Sequence, residues 1–258
     1  MANYIHKGAL LRTVQLTLER MSIRGVHRCE GTDDKTIRNW LLKLGQGAKI
    51  LNARMENLSF NTIEFDELWS WVGVKEGNKQ QHHPYEFGER WTFLAVDKAS
   101  RAIIACHSGK RTQATAEIFL KTLRTRLRGN LAQLVSDGWD GYAKLVPKIF
   151  GPQFPYTQIV KSSSDKQNRR PIQKRTIQGP ENPTVKATSH VERINRQFRH
   201  FVARLTRRTD AFSKSVQHHD TAIEFYTAYY NYVWIQKTGI GTTPVSYTHL
   251  TLPTILRV

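Results

Sequence analysis

The sequence predicts an α/β fold: a mixed five-stranded sheet with flanking helices, preceded by a small all-α segment. Three observations predict it. The first fifty or so residues carry helical spacing only. Aromatic and β-branched runs then appear in quick succession, as strands do. Amphipathic helical stretches alternate with the later apolar runs, which is the signature of parallel pairing.

Residues 1–51 read as helices. Ile37, Trp40, Leu41 and Leu44 repeat at helical spacing and face inward. Gly31 suits a tight turn, and Thr32 or Asp33 can cap the helix that follows. Lys35, Thr36, Arg38 and Asn39 remain on the outer face. This is the shape of a DNA-binding helix-turn-helix, with those four residues toward a groove. Gly45-Gln-Gly47 reads as a break, and residues 52–60 as a linker.

The next domain spans 61–236. Asn61–Val74, Arg90–Val96 and Ala102–His107 are strands, the last two joined by a turn at Asp97-Lys-Ala-Ser100. Thr112–Arg128 is an amphipathic helix with Ala116, Phe119, Leu120 and Leu123 inward. Leu131–Ser136 is a fourth strand, parallel to the first because a helix precedes it. Tyr142–Ile149 is a short helix and Tyr156–Val160 a fifth strand. Residues 161–187 read as a basic loop. Thr188–Arg208 and Ser215–Trp234 are the closing helices.

The chain carries a net charge of +18 with a pI near 10.1. Between Lys161 and Ser215, fourteen Lys or Arg face four acids. Such an excess calls for a polyanionic partner, because neutralised phosphates release counterions. Six Trp, nine Tyr and eleven Phe exclude a mainly disordered chain. Cys29 and Cys106 are too isolated for a zinc site or a disulfide framework. Without an apolar run near eighteen residues or a signal peptide, no membrane association and a cytoplasmic location are expected.

Three acids stand out. Asp66 lies within the apolar first strand, Asp137 ends the fourth, and Glu192 rides the basic helix after the loop. Carboxylates in apolar runs are costly unless something pairs with them. Three antiparallel strands, helix, strand, helix, strand, helix is the element order of the ribonuclease H-like fold. There the first and fourth strands pair, so Asp66 and Asp137 become neighbours. Hard oxygen ligands of this kind suit Mg²⁺ or Mn²⁺. Steps of three, four and seven from Glu192 reach Asn195, Arg196 and Arg199 on one helix face, where the arginines can hold phosphate. His190, two residues before Glu192, is placed to meet the scissile phosphate. Glu64 shares the strand face of Asp66, whereas Glu67 points the other way.

The stretches Phe65-Asp-Glu-Leu-Trp-Ser-Trp-Val72, Ser136-Asp-Gly-Trp-Asp-Gly-Tyr142 and His190-Val-Glu-Arg-Ile-Asn-Arg-Gln-Phe-Arg199 resemble the DDE transposases, and among them the insertion-sequence-one (IS-one) family. The basic run Arg204–Val216 is similar to that family's too, and the likeness extends roughly from Arg20 to Pro244. The resemblance implies an acidic triad of Asp66, Asp137 and Glu192, with Arg199 at the family's basic position. It implies two Mg²⁺ or Mn²⁺ ions per site and no covalent protein–DNA intermediate. The activity implied is nicking at the terminal inverted repeats of an insertion element and strand transfer into target DNA, by a homo-oligomer. A DNA-binding regulator without catalysis and a metal nuclease on the same fold are the alternatives. Two departures from the family are expected: no cysteine-rich zinc segment precedes the helix-turn-helix, and 237–258 form an irregular tail. Within it, 245–258 read as an appended, out-of-frame segment.

Overall fold

The computed structural model describes residues 7–56, 58–129, 132–161, 172–236 and 241–246. The chain divides into two compact units, each assembled from three stretches. One comprises Met1–Ala53, Trp69–Arg90 and Asn195–Ala228; the other comprises Arg54–Leu68, Trp91–Ile194 and Tyr229–Val258.

The first unit begins with α1 (Lys7–Leu18), α2 (Ile23–Glu30) and α3 (Asp34–Ala53). The Ser22 hydroxyl caps α2 by accepting from the Gly25 amide at 3.0 Å. Gly31 ends that helix at φ 66°, a left-handed conformation that favours glycine. The Asp33 carboxylate then accepts from the Lys35 and Thr36 amides at 2.9 and 3.2 Å and starts α3. The expected turn and cap are therefore present. Ile37 is fully buried, while Lys35, Arg38 and Asn39 are exposed and Thr36 is half-buried.

The expected break at Gly45-Gln-Gly47 does not occur, because α3 runs through it. The reason is a close approach. A Cβ on Gly45 would lie 2.3 Å from the Thr221 carbonyl oxygen on α7 (Val216–Tyr232). Packing on α7 outweighs the ~1 kcal/mol that glycine costs in a helix. The expected linker from 52 also starts inside α3. Asn52 is buried, and its amide donates to the Glu224 carbonyl and carboxylate at 3.0 and 2.8 Å. A buried polar network holds the rest of this unit. Arg90 grips Asp220 through two bonds of 2.9 and 2.6 Å. Beside it, His219 bonds to Ser213 and Ser70.

The other unit holds most of the sheet. Its strands are β1 (Thr62–Val72), β2 (Gly88–Asp97), β3 (Ile103–Gly109), β4 (Gln133–Asp137), β5 (Tyr156–Lys161) and β6 (Ile172–Gln178). Their spatial order is β3-β2-β1-β4-β5-β6. β2–β3 and β5–β6 pair antiparallel; β1–β4 and β4–β5 pair parallel. The sheet is mixed, as expected, and the parallel β1–β4 pair is the one the intervening helix predicts. Its strand number is six, not five. β6 forms within the stretch expected to be a basic loop; residues 162–171 of that stretch lie outside the described residues.

Helices α4 (Gln113–Arg126) and α5 (Asp140–Phe150) cover one face. Phe65, Phe93, Phe119, Leu120, Leu134, Tyr142, Val146 and Tyr156 form the main core there. Each such side chain contributes roughly 1.5–3 kcal/mol by burial. Val135, Ile159 and Val185 form a smaller cluster. The helix α6 (Ser189–Phe201) buries Val191 and Ile194. Val245, the first residue of the stretch expected to be appended, is itself buried with Met55, Leu58 and Ala102. Residues 237–240 and 247–258 lie outside the described residues. No described helix is long and apolar enough to cross a membrane.

Candidate active site

The register of β1 on β4 sets the site. Thr62 faces Gln133 and Phe65 faces Ser136, so the next residues along each strand, Asp66 and Asp137, end level with each other. Asp137 is the last residue of β4, where the parallel strand hands over to α5. Its carboxylate accepts from the Trp139 amide at 3.2 Å, which holds the turn. Asp66 accepts from the Glu67 amide at 2.8 Å.

A cleft of about 560 Å³ opens at this point. Asp66, Arg111, Asp137, Trp139, Asp140 and Glu192 are among its lining residues. The three acids singled out in the sequence thus share one cavity. Glu192 reaches it from the first turn of α6, where its carboxylate accepts from the Thr188 hydroxyl at 2.9 Å.

What fixes α6 is Glu64, two residues before Asp66 on β1. Glu64 is buried, and its carboxylate accepts from the amides of His190 and Val191 at 2.8 and 3.1 Å. Those are orphan donors at a helix N-terminus, where the dipole also favours negative charge. The His190 ring lies 2.6 Å from the same carboxylate. The two-residue period puts both carboxylates on one face of β1, Asp66 at the cleft and Glu64 at the start of the helix that carries Glu192.

Electrostatics mark the cluster as overloaded with negative charge. Burial, and then the neighbouring Asp137 and Glu67 charges, push Asp66 up to about 7. Glu64 is pushed up to about 7, chiefly by burial. Glu67 is raised by burial and by Asp137, against the pull of Arg111.

Strand alternation points Glu67 away from Asp66. It does face the helical side of the sheet, where it accepts from the Tyr142 hydroxyl at 2.9 Å. Yet β1 ends its pairing with β4 here, and a glutamate is long enough to reach round. Oxygens of Asp66, Glu67 and Asp137 lie within 4.8 Å of one another. Arg111 belongs to the cleft without any signal in the sequence. The β2–β3 register pairs Trp91 with Gly109, which puts Arg111 at the same sheet edge.

The other residues expected to serve the site fall as follows. On α6, Asn195 is buried and Arg196 exposed, and the Arg199 guanidinium donates to the Leu205 carbonyl at 2.9 Å. On α3, Arg38 pairs with Asp34 at 3.3 Å in an exposed ion pair.

A mixed α/β sheet with carboxylates clustered where its central strands β1 and β4 run side by side defines the class of protein. Comparison with known proteins makes it particular. The IS1 transposase family model matches residues 60–164, a span that includes Asp66 and Asp137 but ends before Glu192. The insertion element IS1 protein InsB of Shigella flexneri is 30% identical over 164 residues, covering 63% of this chain and 91% of that protein. The insertion element IS1 2 protein InsB of Escherichia coli (strain K12) is 28% identical over 164 residues, covering 63% and 71%. The chain belongs to the IS1 transposase family.

Proposed function

We propose that this chain is a metal-dependent transposase that nicks the ends of an insertion element and transfers the freed strand to target DNA. The observation that carries this reading is the shared cleft: β1–β4 pairing sets Asp66 level with Asp137, and α6 adds Glu192.

The donor set fits a hard divalent cation. All donors are carboxylate oxygens, and burial and then the Asp137 and Glu67 charges push Asp66 up to about 7, a crowding of carboxylates that a cation would relieve. Asp66, Asp137 and Glu192 would hold Mg²⁺ or Mn²⁺, with Glu67 beside them. Such ions supply an activated attacking oxygen and stabilisation of the leaving oxygen in an in-line displacement. The chain's own contribution is placement. Glu64 fixes the start of α6, and the Trp139 amide holds Asp137. In this reading Lys35, Thr36, Arg38 and Asn39 on α3 meet DNA in helix-turn-helix fashion, and His190, Asn195, Arg196 and Arg199 on α6 serve the DNA backbone. Holding two element ends together requires at least two copies of the chain.

The test uses purified full-length protein and a supercoiled plasmid carrying the terminal repeats of an IS1 element. With Mn²⁺, nicking and joined products are expected. Asp66→Asn, Asp137→Asn and Glu192→Gln each reduce nicking by ~100-fold or more, since metal-borne charge stabilisation is worth several kcal/mol. The same substitutions should abolish the rise in melting temperature that Mn²⁺ gives the wild type. Binding of the plasmid ends without any cleavage would instead make the chain a regulator.

A further inference from the structure

Arg111 is the one basic side chain among the described residues that line the acidic cleft. Its mounting is unusual for a surface arginine. The guanidinium sits over the Trp91 and Trp139 rings, 4.8 and 5.0 Å from their centroids. Its Nε donates to Glu67 Oε1 at 2.7 Å, and Nη2 approaches the same oxygen at 2.6 Å. The Glu67 side chain is almost wholly buried and is held on its other oxygen by the Tyr142 hydroxyl. Both aromatic contacts and the carboxylate therefore hold a flat, permanently charged group.

Gripping it this way leaves part of it accessible. The Arg111 side chain is 37% exposed, and its Nη1 group has no bond among the described residues. A guanidinium pre-oriented on aromatic faces, with N–H donors toward a cleft, matches the geometry of a phosphate oxyanion. Among the described residues that line this cleft, a polyanion meets four acids, Asp66, Asp137, Asp140 and Glu192, and the Arg111 cation, with Arg175 3.8 Å from Asp140 at the rim. The cation is on the wall formed by Trp139, two residues from Asp137.

We propose that Arg111 binds a backbone phosphate of the DNA strand engaged in the cleft, with Glu67, Trp91 and Trp139 as the mount that orients it. This rests on reading the cleft as the DNA-engaging site. Glu67 is then a positioning residue for Arg111 more than a metal ligand.

The experiment measures binding, not turnover, so it separates from the cleavage test. Affinity of the full chain for a fluorescent oligothymidylate is followed against salt at constant Ca²⁺. Arg111→Gln alone would strand the buried Glu67 carboxylate, so the Arg111→Gln, Glu67→Gln pair is used beside it. The pair should weaken binding by about 10-fold. It should also lower the slope of log affinity against log salt by ~0.7, the amount that one neutralised phosphate contributes on a single strand. Arg111→Lys should restore the slope but not the full affinity, because an ammonium lacks the planar fork. If the pair matches wild type in affinity and slope, the proposal is overturned. A lower melting temperature with an unchanged slope overturns it too, because Arg111 would then only brace the sheet edge. A wild type that binds but never nicks sinks the transposase reading and leaves this one standing on its slope.

Discussion

Asn231 shows how a single side chain can complete a strand edge. It is fully buried on α7, in the same unit as β3. Its Oδ1 accepts from the Ile103 amide and its Nδ2 donates to the Ile103 carbonyl, both at 2.9 Å. The amide thus presents to β3 the same donor and acceptor as a neighbouring strand. Asn231→Leu keeps the volume and removes both partners, leaving two buried backbone groups unsatisfied. At ~1–3 kcal/mol for each of the two unsatisfied groups, a loss of roughly 2–6 kcal/mol is expected. Urea unfolding measures it directly; a variant within ~0.5 kcal/mol of wild type would show that water or a shifted backbone replaces the pair. Glu64 and Glu67 make a related point. Neighbouring acids on one strand are easily taken as one cluster, yet one clamps a helix and the other holds an arginine. Asp66, between them, is the one of the three that lines the cleft.

At the scale of elements, His219 ties together four pieces of one unit: the end of β1, the start of β2, the loop before α7 and α7 itself. The Ser70 hydroxyl donates to the Arg90 carbonyl at 2.7 Å, so it can only accept from the His219 Nε2–H at 3.3 Å. Nδ1 then accepts from the Ser213 hydroxyl at 2.8 Å. This fixes a neutral imidazole. Burial, then the Arg204 and Arg90 charges, push its pKa down to about 3. As pH falls below the ordinary 6.5, the unfolded chain takes up this proton and the folded chain does not. The stability present above pH 6.5 is therefore lost progressively toward pH 3, at up to ~1.4 kcal/mol per unit. Unfolding midpoints at pH 7, 6 and 5 should fall more steeply for wild type than for His219→Gln. Parallel pH dependences would mean that the ring is protonated or solvated in the folded state.

The same scale shows what is legible in the sequence. The strands β1 and β4 and the helix α6 are readable because apolar periodicity and the three acids coincide in them. β6 is not. Its apolar residues, Ile172 and Ile177, are five apart, and Lys174 and Arg175 lie exposed on an edge strand. Edge strands carry such charges and so lose the alternation that identifies strands. The break expected at Gly45 fails for the opposite reason. A glycine usually punctuates, but here it serves a contact with Thr221, 176 positions later in the chain, which no local window contains. In the candidate site, the pairing of β1 with β4 is accessible from element order. Arg111 is not, because its significance arises only when Trp91 and Trp139 meet around it.

For the whole molecule the governing quantity is charge. A net +18 makes binding to DNA strongly salt-dependent whatever the site, so a weaker affinity alone does not identify the residues that grip. The discriminating measurement is how slope and sequence preference change together. The α3 face offers the cleanest case. Lys35 and Arg38 are exposed near the start of a helix locked to α7 through Gly45 and Asn52, so replacing them leaves the packing intact. The Arg38–Asp34 ion pair is exposed and worth at most ~0.5 kcal/mol. If α3 lies in a DNA groove, Lys35→Ala with Arg38→Ala lowers duplex affinity and reduces the salt slope by ~0.9 for each phosphate that is no longer neutralised. The melting temperature stays where it was. Asn39→Ala behaves differently: it leaves the slope alone and narrows the preference for terminal-repeat DNA over random duplex, because an amide reads base edges and not charge. Should the double lysine–arginine variant keep the wild-type slope, the basic surface that grips DNA lies elsewhere, and the exposed cations of β6 become the next to replace.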